Sequence, residues 1–395
     1  MRISNVLCVG ISFLFLGIVL GPLTQGIIAN DANILTSYKN TIYVGGSGEG
    51  NYTYIQDAIN NASDGDTIFV FDDSSPYYEN IVIDKSINLL GENKNTTLID
   101  GDNNDDVLYI SADYVYFSGF TLTNCGNNNY DCGIEINSDN NTINNNIIHK
   151  NEGERIVSGG ILINSSYNNT ILFNKIYSND YDGITIINSD YNHIHQNKIF
   201  DNKRLGITLS NSSNNIIEYN EVYENYCGIC LYPHSTQNIV KNNNIHDHTC
   251  CGIALKQYSD YNLIQSNHVI NNLAHGIMLG PGPTSNNIVK LNTISGCISF
   301  PWYPNAAIVL ENAFFNTIEN NNILNNYKDV IINSSFVNSW VNNYWDNYLG
   351  FGPKIIVGYI YLQLKREIII PWFNIDRHPA KEPFNMTTTQ GCGIE

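Results

Sequence analysis

"NHIHQNKIFDN" (residues 192–202) places asparagine at Asn192, Asn197 and Asn202, one every five residues, with Ile194 and Ile199 between them. Asparagine is a poor former of both helices and strands, so its regular recurrence beside apolar residues needs a structural cause. The pattern extends along the chain. One column runs Asn141, Asn169, Asn192, Asn215, Asn238, Asn262, Asn287, Asn316, and a second lies five residues on, from Asn146 through Asn174, Asn197, Asn220, Asn243, Asn267 and Asn292 to Asn321. Two residues after each member of the second column stands Ile or Val, and a Gly-Ile-x-aliphatic step closes most repeats, as in GITI at 183, GITL at 206 and GICL at 228.

Apolar residues of period two, separated by short polar turns, specify short strands. Three such strands in about 23 residues make one coil of a solenoid. Stacked coils bring equivalent residues ~4.8 Å apart. At that spacing each asparagine amide can donate to the amide stacked on it, and burial of a polar group is tolerated when it is paired. Asparagine also accepts the backbone angles of a tight corner. The expectation is an all-β parallel solenoid of about ten to eleven coils, within a domain spanning residues 30–345.

Segments that break the pattern close its ends. In "NYTYIQDAINNASDGD" (51–66), Thr53 and Gln56 have capping-box spacing, and Ile55, Ala58, Ile59 and Ala62 share a helical face. A short helix here would cover the open apolar end of a solenoid. The aromatic "SWVNNYWDNYLGFG" (339–352) caps the other mouth, and residues 346–395 read as a capping tail, extended in part.

Composition narrows the setting. The formal net charge is −18, with only 14% charged residues, and about one residue in six is asparagine. An acidic chain without a basic cluster repels phosphate backbones, which excludes nucleic acid as a partner and favours cations. Residues 1–29 hold Arg2 followed by the apolar run "VLCVGISFLFLGIVLGPL". This reads as a secretory signal peptide, or as an uncleaved anchor giving the only membrane attachment. The chain is expected to be secreted, on the cell surface or in a periplasm-like envelope space.

"YIQDAINNASDGDTIFV", "YYENIVIDKSINLLGE", the asparagine repeats and the ending "NYWD…IIPWF…HPAKEP" resemble right-handed parallel β-helix proteins of the pectate-lyase-like fold. Within these the chain is similar to the NosD-type family of short-repeat exported proteins. The resemblance implies a right-handed, single-stranded helix with an N-terminal capping helix. It is poor in activity, because the fold hosts lyases, hydrolases, epimerases, adhesins and a copper-associated periplasmic protein. The paired-Asp and Gly-His-Gly signatures of polygalacturonases and the Gln, Asp and Arg pattern of pectin methylesterases are absent, so no catalytic residue carries over.

Coil register brings three groups together. His149, Tyr177, Phe200, Tyr223 and His246 form an outward aromatic column. It is either a platform for sugar faces or a ladder of rings stabilising the sheet. The next column holds Asp201, Glu224 and Asp247, readable as a solvated turn, a Ca²⁺ site or the acid pair of a polysaccharide lyase or hydrolase. "YCGICL", "CCGIAL" and "AHGIML", aligned on glycine, stack Cys227, Cys251 and His275, with Cys230 and Cys250 near; counted from asparagine, Cys227 meets Cys250 instead. That group suits copper or zinc, or a disulfide, the default in an exported protein. Cys125 and Cys132 read as a second bridge. His193, His195 and His268 are expected to be solvated. The leading functional expectation is binding of carbohydrate or another envelope polymer along the outer face through Tyr177, Phe200, Tyr223 and His246. Metal handling at Cys227, Cys251 and His275 is the alternative, and catalysis through the acidic column the third.

Overall fold

The computed structural model describes residues 40–128, 130–152, 159–297, 305–363 and 367–386, so the signal or anchor segment lies outside the described residues. Each coil repeats three strands. Asp182–Ile187 is followed by His193–His195 and Lys198–Phe200, and the next coil begins at Leu205–Ser210. Equivalent strands pair in parallel and in register: Ile184 with Ile207, Ile194 with Ile217, and Ile199 with Val222. These pairings form three ladders, called here the glycine, middle and aromatic ladders after the order of strands in a coil. The aromatic ladder alone has twelve strands. That exceeds the ten to eleven coils read from the sequence, because a further coil continues the asparagine ladder at Asn343 and adds the strand Tyr344–Trp345. The chain folds as a right-handed parallel β-helix, and its first strand, Thr41–Val44, already pairs with Thr67–Val70.

The core is a stack of aliphatic side chains, with Ile184, Ile194, Ile199 and their equivalents fully buried. Between strands the chain must turn within one or two residues. The asparagines face inward at these corners, and Asn197 is 0% exposed. Asn197 Oδ1 accepts from Asn174 N at 3.0 Å and from Asn174 Nδ2 at 3.1 Å. Its Nδ2 donates to Ile171 O at 2.8 Å and His195 O at 3.0 Å, and its backbone N donates to Asn220 Oδ1 at 2.9 Å. The unusual backbone angles fall one residue earlier than expected. Gln196 and Asp201 have φ of 55° and 53°, as do many bulky residues in the same place, Leu291 (55°) among them. The strain is placed beside the ladder, where six hydrogen bonds of about 1 kcal/mol each, one of them from Asn197 Nδ2 to Asn220 Oδ1, offset it.

The repeat's other residues have equally direct causes. A Cβ on Gly206 would lie 2.4 Å from Val222 Cγ1 and 2.7 Å from Gly228 O, so glycine opens the strand because the aromatic ladder's aliphatic residue fills that space. A serine column, unnoticed in the sequence, also stacks at the corner after the glycine ladder: Ser166 N donates to Ser189 Oγ at 3.0 Å and Ser189 N to Ser212 Oγ at 3.1 Å.

The two ends depart from expectation in detail. The helix is Ile55–Asn61, with Ile55, Ala58 and Ile59 buried as expected. Its first N–H groups are capped by Glu79 of the following coil, which accepts from Ile55 N at 2.8 Å and Gln56 N at 2.9 Å, and not by a Thr53 box. At the far end Trp340 and Trp345 are buried against each other. The tail, expected to be extended in part, forms an antiparallel hairpin, Lys354–Gln363 with Glu367–Asp376, as the period-two alternation of "KIIVGYIYLQ" permits. It returns Asp376 beneath the last coil, where Asp376 Oδ2 accepts from Asn343 N at 2.9 Å and Trp345 Nε1 at 3.2 Å and so terminates the asparagine ladder.

Two predictions follow from these contacts. Asn197→Ala removes the acceptor of the Asn174 backbone N–H and the side-chain donor to Ile171 O and His195 O in a dry corner, so stability should fall by about 3 kcal/mol, while Asn137→Ala, at an exposed position, should cost less than about 0.5 kcal/mol; denaturant midpoints test both. Burial pushes the Asp182 carboxyl up to about 6, against hydrogen bonds from Thr208 Oγ1, Leu205 N and Thr185 Oγ1. That lies above the unfolded value of about 3.9, so the folded chain holds a proton that the unfolded chain has lost. Its contribution to stability therefore falls as pH rises from about 4 to about 6. Denaturation midpoints measured across that range should differ less in Asp182→Asn than in the parent chain.

Candidate functional site

The glycine ladder's strands bury their outward as well as their inward side chains: Cys227–Leu231 is buried at every position. A second apolar cluster, of Leu205, Cys227, Cys230, Cys251 and Ala254 with Tyr232, Cys250 and Met278 against it, lies apart from the main core. Three cysteines meet there. The sulfurs of Cys227, Cys250 and Cys251 all lie within 4.8 Å of one another, with Cys250 and Cys251 Sγ 3.6 Å apart. Among the described residues no other three His, Cys, Asp or Glu side chains converge as closely.

The glycine register holds, since Ile229 pairs with Ile253 and Gly228 N donates to Cys251 O at 2.9 Å. Cys227 therefore stacks on Cys251, and His275 follows in the same column, with Gly252 N donating to His275 O. The third member of the cluster is nonetheless Cys250 and not His275. The corner before the strand turns the side chains of consecutive cysteines toward Cys227, whereas the histidine's ring stands one coil further along. His275 is 6% exposed, and its Nδ1 is buried without a hydrogen-bond partner. Cys250, Cys251, His275, Met278, Lys256 and Tyr226 line one cavity of about 690 Å³.

The structure holds the cysteines unbridged, where disulfides were the default expectation. Cys227, Cys230, Cys250 and Cys251 are free thiols. Cys125 and Cys132 are not bridged either: their thiols donate to Glu152 O at 2.9 Å and Tyr130 O at 3.1 Å.

The thiols share a charge. Hydrogen bonds from the Cys230, Cys250 and Cys251 thiols, with the Cys251 N–H at 3.4 Å, pull Cys227 far below the usual thiol range. The three donors are raised in turn by their bonds to Cys227. Burial lowers the His275 imidazole, keeping it neutral. Burial also works against the Lys256 ammonium, but the neighbouring thiols and Tyr232 hold it above its ordinary value. The arrangement gathers four thiols, with Cys227 favoured for ionisation by its neighbours' hydrogen bonds, an imidazole, a thioether and a lysine.

The other columns form as expected but face differently. His149, Tyr177, Phe200, Tyr223 and His246 stack with centroids 4.8–5.1 Å apart and planes within 2–4°. Each ring between the two histidines has both faces covered by its neighbours, so the column is a packing ladder that shows edges to solvent. Asp201, Glu224 and Asp247 are exposed corner residues with φ of 53°, 52° and 58°. Asp201 accepts from Ser178 Oγ, and Asp247 pairs with His246 at 2.7 Å. Among the described residues they are not part of any converging group of three possible metal ligands. His193 pairs with Glu218 at 2.8 Å, and His268 is buried, not solvated. His248 went unremarked in the sequence; it takes an asparagine's place in the third column, its Nδ1 accepting from Asn225 N at 3.2 Å.

Comparison with known proteins agrees with this architecture. Residues 118–260 match the family described as right handed beta helix region. Residues 199–350, which include the thiol cluster, match the family described as periplasmic copper-binding protein (NosD). No curated protein sequence matches the chain. Among solved structures, the Dettilon tailspike protein gp208 superposes with a TM-score of 0.62 at 16% identity, over 82% of this chain and 74% of that one. A DFA-IIIase from Arthrobacter chlorophenolicus A6 gives 0.56 at 14% identity, over 78% and 95%. The A-module of the Azotobacter vinelandii mannuronan C-5 epimerase AlgE6 gives 0.50 at 14%, over 72% and 92%. At these identities the likeness is one of fold. The chain is a right-handed parallel β-helix, and its second half, residues 199–350, is similar to the NosD family.

Proposed function

We propose that this protein binds a soft metal ion, copper(I) first among them, at Cys227, Cys250 and Cys251, and that it does so outside the cytoplasm. The observation that carries this is the convergence of three sulfurs, all free thiols, within 4.8 Å of one another. Thiolate and thioether donors select copper(I) and zinc over hard cations. The residues fit such an ion: the cluster already stabilises one thiolate, His275 offers a neutral nitrogen without a partner, and Met278 lines the same cavity. A bound ion would neutralise the charge that the thiols otherwise share by hydrogen bonding. The match of residues 199–350 to a copper-binding periplasmic family supports both the ion and the compartment. Free thiols in an oxidising space also persist better when metal-bound.

The parallel strands do the positioning. Cys227 and Cys251 are fixed by backbone register, so little ordering is left to be done when the ion arrives. Cys250 is half-buried at the cavity wall and provides the route in. Lys256 lies at the rim of the same cavity, which favours a site with a net negative thiolate set.

Anaerobic titration with copper(I) against a competing chelator should give about one equivalent per chain. Cys227→Ser and Cys251→Ser should each abolish tight binding, while Cys297→Ser, buried elsewhere in the core, should leave it intact. His275→Ala should weaken binding by roughly tenfold. Unchanged stoichiometry in Cys251→Ser, or a Cys227–Cys251 bridge in the intact mass of the exported protein, would overturn the reading.

A further inference from the structure

The outer face of the aromatic ladder carries a second feature, independent of the thiols. Beside the ring column runs another outward column, Ile147, Lys175, Lys198 and Glu221, set by the register of the same strands. The Lys175 ammonium lies 4.9 Å from the Tyr177 ring centre and 5.7 Å from that of Phe200, and Lys198 lies 5.4 Å from that of Tyr223. A third lysine arrives from far away in the chain. The loop after Asn88–Gly91 folds over this face, tied down by Thr121 Oγ1 donating to Lys94 O, and Lys94 Nζ donates to Asn145 Oδ1 at 2.8 Å. Lys94, Lys175 and Lys198 with Asn95, Ile147, Phe200 and Tyr223 enclose a cleft of about 230 Å³.

Three ammonium groups at one cleft stand out in a chain with 19 basic and 37 acidic residues. Lys198 is paired with Glu221 at 3.2 Å. Among the described residues neither Lys94 nor Lys175 has a carboxylate at ion-pair distance. Burial and the charge of Lys175 both disfavour the Lys94 ammonium, which an anion in the cleft would relieve. The rings point the same way. Stacking covers their negative faces and turns their positive edges outward, so edges and ammonium groups together favour negative charge. The site has no arginine fork, the geometry suited to bidentate phosphate recognition. It offers point charges, an amide at Asn95 and a tyrosine edge, which match a carboxylate flanked by hydroxyl groups. The ring column continues on both sides of the cleft, from His149 to His246, along one sheet face, which gives an extended chain further contacts.

We infer that the cleft formed by Lys94, Lys175, Lys198 and the edges of Phe200 and Tyr223 binds a carboxylate-bearing sugar unit of an acidic polysaccharide. Binding is at the ring edges and lysines, not on ring faces, and it requires no metal at the thiol cluster.

Titration calorimetry of the full chain with oligouronate, neutral oligoglucan, a sulfated oligosaccharide and orthophosphate decides the matter. The oligouronate should bind at low salt and weaken as salt rises, and the other three should bind more weakly or not at all. Lys94→Gln and Lys175→Gln should each weaken oligouronate binding by roughly three- to tenfold; the double variant should abolish it, and Lys175→Arg should retain it. Copper uptake should be the same in all of them. If Lys175→Gln also lowers the melting temperature through its packing on Tyr177, Lys94→Gln, in a loop, is the deciding variant. Absent oligouronate binding, equal binding of orthophosphate, the sulfated or the neutral chain, or full binding by the Lys94→Gln variant would overturn the inference.

Discussion

Each ladder asparagine is satisfied chiefly by the coils on either side of it. Asn197 accepts from Asn174 and donates to Ile171 O, while its own N–H reaches Asn220. A single coil could therefore not bury its corners, and the fold exists only as a stack. This one constraint sets the coil spacing, forces the preceding residue into the left-handed region and fixes the side from which every outward column projects. It also explains the ends. An unfinished ladder would leave buried donors and acceptors, so Asp376 closes it at one end, and Glu79 caps the helix that covers the other.

Regular stacking makes chemistry columnar, and that has opposite consequences for different side chains. Rings gain from it, because the coil spacing is close to a stacking distance and the aromatic column becomes continuous. The same stacking removes ring faces from solvent. Thiols in register are held near enough to share a proton or a metal. Carboxylates in register repel, and Asp201, Glu224 and Asp247 turn outward from the corner. Charge of opposite sign pairs up the column instead, as Lys198 does with Glu221 and Lys241 with Glu218.

The proposed sites lie on separate outer surfaces. The thiol cavity is on the glycine ladder, where outward side chains are buried by the corner residues around them. The lysine cleft is on the aromatic ladder, where they are only half-buried. A soft-metal site benefits from the dry surface and a charged polymer from the wet one, so the two fit their positions in the solenoid.

By itself the sequence determined the repeat: the five-residue asparagine spacing, the inward isoleucines and the glycine that opens each strand are all local consequences of a coil about 23 residues long. Register followed from those residues, which is why Cys227 could be placed over Cys251 and Tyr177 under Phe200. The tertiary structure decided what register alone leaves free, namely the direction of side chains at corners and the arrival of distant segments. Cys250 displaced His275 as the third member of the cluster because the corner turns two consecutive cysteines toward Cys227 together. The Thr53 box yielded to Glu79 because a carboxylate on the next coil reaches the helix N–H groups directly. Lys94 joined Lys175 and Lys198 across some eighty to one hundred residues of chain, through a loop with no periodic signature. Periodicity encodes contacts between coils, and where the chain leaves the period only the folded packing can say what meets what.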